Sequence, residues 1–256
     1  MVHPVLHQFN VAGSLLASSV VFLRGMLVVE PVKQPAQPFK LYEFEACPYC
    51  RNVRETFTAL HLDVEIHPCP KGGTRFRPEA ERLGGKLKFP LLVDSNNGVT
   101  MYESADITAY LFRTYADRSV PMAYRHTAIQ PAIGAMASGI RGMRGARARP
   151  SRAPREPLHL WSFEASPFSR LVRERMCELE IPYLLHNLGK ERWGELGQPN
   201  FRLERGPYVP TAGGKREAFL HEHGRVQVPY LEDPNTGTKM FESSRIIDYL
   251  EQTYAA

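Results

Sequence analysis

With 256 residues, 43% of them hydrophobic, the chain has material for about two domains of ordinary size, each with its own core. Four cysteines, Cys47, Cys50, Cys69 and Cys177, are too few and too unevenly placed for a disulfide-stapled secreted scaffold, which favours a reducing, cytoplasmic compartment. The net charge of +5 comes with no nucleic-acid motif, and its excess sits in one run, Arg141, Arg144, Arg147, Arg149, Arg152 and Arg155, with no acid until Glu156; this reads as a solvated linker rather than a patch for nucleic acid, an anionic membrane surface or a partner.

Residues 1–38 form an N-terminal segment. Val11 to Val29 is apolar with helical spacing at Val11, Leu15, Phe22, Met26 and Val29 and at Leu16, Val20, Leu23 and Leu27. With no Lys or Arg ahead of it, no clear cleavage site and Arg24 inside it, it is expected as a helix packed on the domains or a partner, ahead of a membrane-surface helix and then a targeting segment or membrane span. The Pro-rich stretch Glu30 to Pro38 ends it.

Residues 39–117 are expected as one α/β domain, with a strand at 40–45, helix at 48–61, strand at 63–67, short helix after Phe76, strands at 90–94 and 99–102, and helix at 104–115. Ser95-Asn-Asn-Gly98 joins the last two strands as a hairpin. Residues 118–157 form a linker with a small-residue stretch, where Gly134, Ala135, Ser138 and Gly139 permit a close helix approach, followed by the arginine run.

Residues 158–256 repeat the first domain. His159-Leu-Trp-Ser-Phe-Glu-Ala-Ser-Pro-Phe-Ser169 matches Lys40-Leu-Tyr-Glu-Phe-Glu-Ala-Cys-Pro-Tyr-Cys50 at a step of 119 residues. Pro229-Tyr-Leu-Glu-Asp233 matches Pro90-Leu-Leu-Val-Asp94, and Met240-Phe-Glu-Ser-Ser-Arg-Ile246 matches Met101-Tyr-Glu-Ser-Ala-Asp-Ile107, both at a step of 139. The second copy therefore carries 20 extra residues, expected between Trp193 and His223 as an elaborated loop long enough to cover its groove. A repeat this long means two copies of one small domain, since solenoid units run only about 20–50 residues.

The chemistry concentrates at Cys47-Pro48-Tyr49-Cys50. A strand running into CxxC and then a helix puts Cys47 at the helix N-terminus, where free backbone N–H groups and the dipole stabilise a thiolate. Cys50 lies one turn inward, within reach of a mixed disulfide on Cys47, and Pro48 suits the first turn because its missing N–H is not needed there. Structural zinc, with His67 and Cys69 completing the ligands, is the less favoured reading because no second CxxC exists. Cys69 and Cys177 read as packing residues.

The element order with CPYC resembles the thioredoxin fold. CPYC itself is similar to the glutaredoxin active-site motif, and Glu103-Ser104 resembles the glutathione-binding Glu-Ser of glutathione transferase N-terminal domains. The chain thus resembles the class of the glutathione S-transferase superfamily built from two tandem N-terminal domains. That resemblance implies an α/β fold of two thioredoxin-like domains with no all-helical C-terminal domain, covering nearly everything except residues 1–38 and the linker. It implies a glutathione-dependent thiol–disulfide oxidoreductase or deglutathionylating transferase acting through Cys47, with a non-catalytic glutathione- or ligand-binding module as the alternative.

By the same resemblance, Pro90 matches the cis-proline opposite the active site, leaving the Phe89 backbone to pair with the cysteinyl main chain of glutathione, while Glu103 and Ser104 receive its γ-glutamyl end. Glutathione is then co-substrate, small-molecule or protein disulfides are partners, and no metal is expected. Phe44-Glu45 stand where glutaredoxins usually carry a Lys, and Glu103-Ser104 where they use Gly-Gly. In the second copy Ser166, Val228, Pro229, Glu242 and Ser243 mark a possible second site. Ser166 either donates a hydrogen bond to a glutathione thiolate or belongs to a degenerate packing domain, the latter reading being favoured.

Overall fold

The computed structural model describes residues 3–20, 24–126, 130–198, 201–204 and 206–256. In chain order the elements are α1 (Pro4–Val20), β1 (Phe39–Glu43), α2 (Pro48–Ala59), β2 (Val64–Pro68), α3 (Arg77–Gly84), β3 (Leu91–Asp94), β4 (Val99–Met101), α4 (Ser104–Ala116), α5 (Gln130–Ile140) and β5 (Leu158–Ser162). There follow α6 (Pro167–Glu178), β6 (Tyr183–Asn187), a small hairpin of β7 (Gly197–Gln198) and β8 (Phe201–Arg202), α7 (Lys215–His223), β9 (Tyr230–Asp233), β10 (Thr238–Phe241) and α8 (Ser243–Tyr254). The elements expected for the first copy lie within two residues of those found.

Each copy is a four-stranded thioredoxin-like sheet in which the first strand pairs parallel with the second and antiparallel with the third. The two sheets fuse into one of eight strands, ordered β10-β9-β5-β6-β2-β1-β3-β4. The seam is the antiparallel pair β2–β6, with Val64 opposite Leu185, Glu65 opposite Leu184 and Ile66 opposite Tyr183. Glu65 and Leu184 are equivalent positions of the repeat, so the seam lies on a pseudo-two-fold axis. Strands β1 and β5 are internal to the sheet, and Phe39, Leu41, Leu158 and Leu160 are fully buried in the main core.

The segments before each domain also obey this axis, which the sequence reading did not foresee. Helix α1 packs on α6 of the second copy and α5 on α2 of the first, so each helix lies on the domain that does not follow it. The two helices meet through Ala17 and Ala137, both buried, where small side chains allow close contact. The expected helix over Val11–Val29 is displaced toward the N-terminus. The chain turns at Gly25, which adopts φ 74° and where a Cβ would lie 2.7 Å from Glu164 Cβ. Phe22 and Leu23 of the expected stripe lie outside the described residues. Among the described residues no helix is long and apolar enough to cross a membrane.

The arginine run also differs from a plain solvated linker. Arg141 is buried and forks onto Glu174 of α6 at 2.8 and 2.7 Å. Residues 146–148 run beside Lys71, whose N–H donates to the Ala146 carbonyl at 2.7 Å and whose carbonyl accepts from Ala148 N–H at 2.9 Å. Arg144, Arg147, Arg152 and Arg155 remain exposed.

Across the axis the copies exchange buried ion pairs. Arg54 Nε donates to Glu164 at 2.8 Å, and the equivalent Arg173 forks onto Glu45 at 3.1 and 3.2 Å while pairing with Glu164 at 3.0 Å. All four side chains are buried. The symmetry breaks at Glu43, which pairs with Arg54 where the second copy offers Ser162 Oγ to Arg173 at 3.0 Å.

Each hairpin is tied to its last helix by an aspartate. Asp94 is fully buried and accepts from Asn96, Asn97, Tyr110 and Tyr115; Asp233 accepts in the same way from Asn235, Tyr249 and Tyr254. Burial alone would raise the Asp94 carboxyl, but the hydrogen bonds from Asn97, Tyr110, Tyr115 and Asn96 outweigh it and lower it from 3.8 to about 2. The folded-state value is depressed, so the stabilisation, about 2 kcal/mol, is complete above the unfolded value and lost as pH falls through the folded one. Asp94→Ala is therefore expected to lower stability by about 2 kcal/mol in chemical denaturation at pH 7, with the gap to wild type closing between about pH 4 and pH 2. A gap that stays constant down to pH 2 would show the carboxylate charge to be irrelevant.

Candidate active site

Cys47 is the N-cap of α2, and its Sγ accepts a hydrogen bond from the Cys50 backbone N–H at 3.2 Å. Pro48 stands in the first turn as expected. The hydrogen bond from the Cys50 thiol, together with those from the Cys50 and Tyr49 backbone, outweighs the opposing effect of burial and holds the Cys47 thiol below the usual cysteine value. Burial pushes the Cys50, Cys69 and Cys177 thiols up. Cys47 is thus set apart by its hydrogen bonds rather than by exposure, since it is only 3% exposed, whereas Tyr49 beside it is 48% exposed.

The cis-proline loop expected opposite Cys47 lies beside the segment that leads into it. Phe89 and Pro90 are joined by a cis peptide bond, as are Val228 and Pro229. Phe44, three residues before Cys47, meets Phe89 edge-to-face at 6.2 Å, which places the cis-proline loop against the segment leading into CPYC. Glu103 caps α4 with φ 65° and ψ 111°, and its equivalent Glu242 caps α8 with φ 75° and ψ 112°. A non-glycine residue at positive φ costs about 1–3 kcal/mol, so its recurrence in both copies marks a held geometry. Both carboxylates point outward, Glu103 onto the Lys88 ammonium and Glu242 onto the Gln227 amide at 2.6 Å.

Ser104 and Ser243 are buried, and each hydroxyl faces a histidine that the sequence reading missed. His126 Nδ1 lies 3.4 Å from Ser104 Oγ, with its Nε2 3.1 Å from Thr108 Oγ1, and His7 Nε2 lies 3.1 Å from Ser243 Oγ. Burial lowers the affinity of both imidazoles for a proton. A signal existed in the sequence: His7 and His126 are 119 residues apart, as are Pro31 and Pro150, Pro35 and Pro154, and Pro38 and Pro157. The repeat therefore extends through the segments read as N-terminal arm and linker.

The small residues of α5 serve the site directly. A Cβ on Gly134 would lie 2.8 Å from Pro48 Cβ, and Ser138 Oγ donates to the Ala46 carbonyl at 2.9 Å, so α5 lies tight against CPYC.

In the second copy Ser166 caps α6 as Cys47 caps α2. Its Oγ accepts from Ser169 N–H at 3.3 Å and from the Ser169 hydroxyl at 2.8 Å. Ser166 and Val228 line a cavity of about 340 Å³ to which Glu242 and Ser243 do not contribute. The inserted residues line this cavity instead of filling the groove.

The zinc reading finds no geometry. Cys47, Cys50, His67 and Cys69 form no ligand group among the described residues, and His67 Nε2 instead faces Glu65 at 2.9 Å. Glu222, His223 and Glu232 do bring ligand atoms within 4.8 Å of one another, but Glu232 already pairs with Lys239 at 3.0 Å and Tyr230 at 2.9 Å.

A search of curated proteins found no match. Among solved structures the chain is similar to a delta-class glutathione transferase of Nilaparvata lugens (31% identity, 30% of this chain and 36% of that chain, TM-score 0.26) and to a Bombyx mori glutathione transferase (30% identity, 32% and 38%, TM-score 0.26). It is also similar to the Leishmania TDR1 trimeric glutathione transferase (13% identity, 86% and 68%, TM-score 0.27). The matches to the two insect enzymes span little more than a third of their length. The family model described as glutathione S-transferase, N-terminal domain, matches residues 41–119 and again 160–256. With well over half of its residues inside those two matches, the chain belongs to the glutathione S-transferase superfamily and carries the thioredoxin-like N-terminal domain twice.

Proposed function

We propose that the protein is a glutathione-dependent thiol–disulfide oxidoreductase that deglutathionylates its substrates through Cys47. The observation carrying this reading is the position of Cys47 at the N-cap of α2, with hydrogen bonds from Cys50 that favour its thiolate. The Cys47 thiolate attacks the glutathionyl sulfur of a mixed disulfide; a Cys47–glutathione bond forms, the substrate sulfur leaves as thiolate and takes a proton. A second glutathione thiolate then attacks the same glutathionyl sulfur, forming oxidised glutathione and returning Cys47 as thiolate. Phe89 offers its backbone to the cysteinyl part of glutathione, next to Pro90, and Glu103 and Ser104 take its γ-glutamyl end.

Reduction of a glutathionylated peptide, run beside conjugation of glutathione to an aryl halide, tests this reading. Turnover of the peptide is expected, and binding of glutathione without either activity would favour a non-catalytic module. Alkylation by iodoacetamide at pH 7 is expected to label Cys47 ahead of Cys69 and Cys177, whose thiols burial pushes up; equal labelling of all three would remove the basis for choosing Cys47.

Binding has its own check. Glu103→Ala combined with Ser104→Ala removes charge-assisted contacts and is expected to weaken glutathione by about 2–4 kcal/mol in calorimetry. Unchanged affinity would move the glutathione site elsewhere.

A further inference from the structure

A small cavity lies where the two copies meet, with walls from α2, α5 and α6. It measures about 20 Å³, room for one water-sized species, and Arg51, Arg141, Arg170, Glu45, Glu164 and Glu174 line it. Arg51 and Arg170 are equivalent positions, 119 residues apart, so each copy contributes the same arginine. Both are buried, at 5% and 4% exposed, and the Nη2 of each has no hydrogen-bond partner among the described residues.

The two arginines differ in their carboxylates. Arg51 Nε donates to Glu55, one turn on, at 3.0 Å. The equivalent of Glu55 is Glu174, and Arg141 forks onto it at 2.8 and 2.7 Å, so Arg170 has no carboxylate of its own one turn on. The Glu164 Oε1 oxygen lies 3.8 Å from Arg170 Nη2 and 3.9 Å from Arg51 Nε, beyond hydrogen-bond reach of either, and Glu164 already serves Arg54 and Arg173. The surrounding cluster is short of negative charge: six arginines, Arg24, Arg51, Arg54, Arg141, Arg170 and Arg173, share Glu43, Glu45, Glu55, Glu164 and Glu174. Burial pushes the Glu43 carboxyl up to about 7, which trims that charge further at neutral pH. Burial, followed by the Arg51 charge, lowers Arg170 to about 9, as expected of a cation that faces another.

We propose that this cavity binds one small monovalent anion of chloride size, between the Arg51 and Arg170 guanidinium groups on the axis between the copies. The anion supplies the counter-charge that Arg141 takes from Arg170, and a buried guanidinium without one is strongly destabilising. A polyatomic oxyanion such as phosphate or sulfate is too large for the space. Arg144, which is exposed, also lines the cavity and marks its solvent side. The site does not depend on the chemistry proposed for Cys47.

Urea unfolding of the full chain in sodium chloride and in sodium gluconate at equal ionic strength tests the proposal, because gluconate screens charge but is too large to enter the cavity. Above the dissociation constant, each ten-fold rise in chloride is expected to raise the folded-to-unfolded ratio about ten-fold beyond gluconate. Arg170→Met removes the unmatched cation and is expected to abolish this chloride advantage, whereas Arg152→Gln, at an exposed cation outside the cavity, is expected to keep it. No chloride advantage in the wild type, or one that persists in Arg170→Met, would overturn the proposal. Wild-type crystals soaked in sodium bromide give a second reading that does not rely on a variant's folding. An anomalous bromide peak is expected between Arg51 and Arg170; a water there, or bromide at surface positions as an adventitious ion only, would overturn the proposal.

Discussion

Cys47→Ser is expected to reduce thiol–disulfide turnover on the order of 10³-fold or more, to background, while Cys50→Ser retains deglutathionylation. Only Cys47 stands at the helix end with donors from Cys50 and Tyr49 on its sulfur, and the thiolate is the species that attacks. Cys50 is fully buried with its thiol pushed up, so it is suited to donate a hydrogen bond and, once Cys47 is oxidised, to resolve it. On the proposed route glutathione can do that resolving instead, so Cys50 is expected to be dispensable. The nature of the replacement should matter, because the largest influence lowering Cys47 is the hydrogen bond from the Cys50 side chain. A serine there keeps a donor: in the second copy the Ser169 hydroxyl reaches Ser166 Oγ at 2.8 Å. Cys50→Ala should therefore be slower than Cys50→Ser at pH 7, with its pH–rate profile shifted upward. Equal loss in Cys47→Ser and Cys50→Ser would make the dithiol route obligatory, and identical profiles for Cys50→Ser and Cys50→Ala would dismiss the side-chain hydrogen bond.

Glu164→Ala is expected to destabilise the protein by about 3–5 kcal/mol, the cost of leaving buried guanidinium groups without their counter-charge. Glu164 serves Arg54 at 2.8 Å and Arg173 at 3.0 Å, and both arginines are 1% exposed. Burial works against the charged carboxylate, but Arg173 and Arg54 outweigh it and keep Glu164 ionised far below the usual carboxylate range. Since one arginine comes from each copy, the loss should loosen the axis between the copies rather than one domain. Removing both partners of a pair should cost less than removing one, so Arg173→Met/Glu45→Met is expected to be more stable than Arg173→Met with Glu45 left in place. The midpoints of urea unfolding read all three variants. A loss below about 1 kcal/mol for Glu164→Ala would mean that water reaches the cluster and screens it.

These arginines and glutamates show why sequence patterning stopped short. Arg51, Arg54 and Glu55 on α2, and Arg170, Arg173 and Glu174 on α6, are all charged, yet all six are buried. Periodicity assigns charge to solvent, and these charges are buried only because each helix meets the other copy and a helix from outside its own domain. Arg141 misled in the same way: a cation in a basic run has no visible partner until Glu174, 33 residues on, is brought beside it.

What the sequence by itself determined is local and repeated. Strand-CPYC-helix puts Cys47 at an N-cap because Pro48 starts the helix and the preceding alternation ends in a strand. The 119- and 139-residue steps establish two copies of one domain, in which Pro90 and Glu103-Ser104 recur as Pro229 and Glu242-Ser243. What only the tertiary structure decided is relational: the antiparallel seam at Glu65 and Leu184, the exchange of α1 and α5 that brings His7 to Ser243 and His126 to Ser104, and the cavity that the insertion walls off beside Ser166. Backbone geometry and caps act over a few residues and so can be read along the chain. Burial, ion pairing and cavities depend on which surfaces meet, and that is settled by packing between segments distant along the chain.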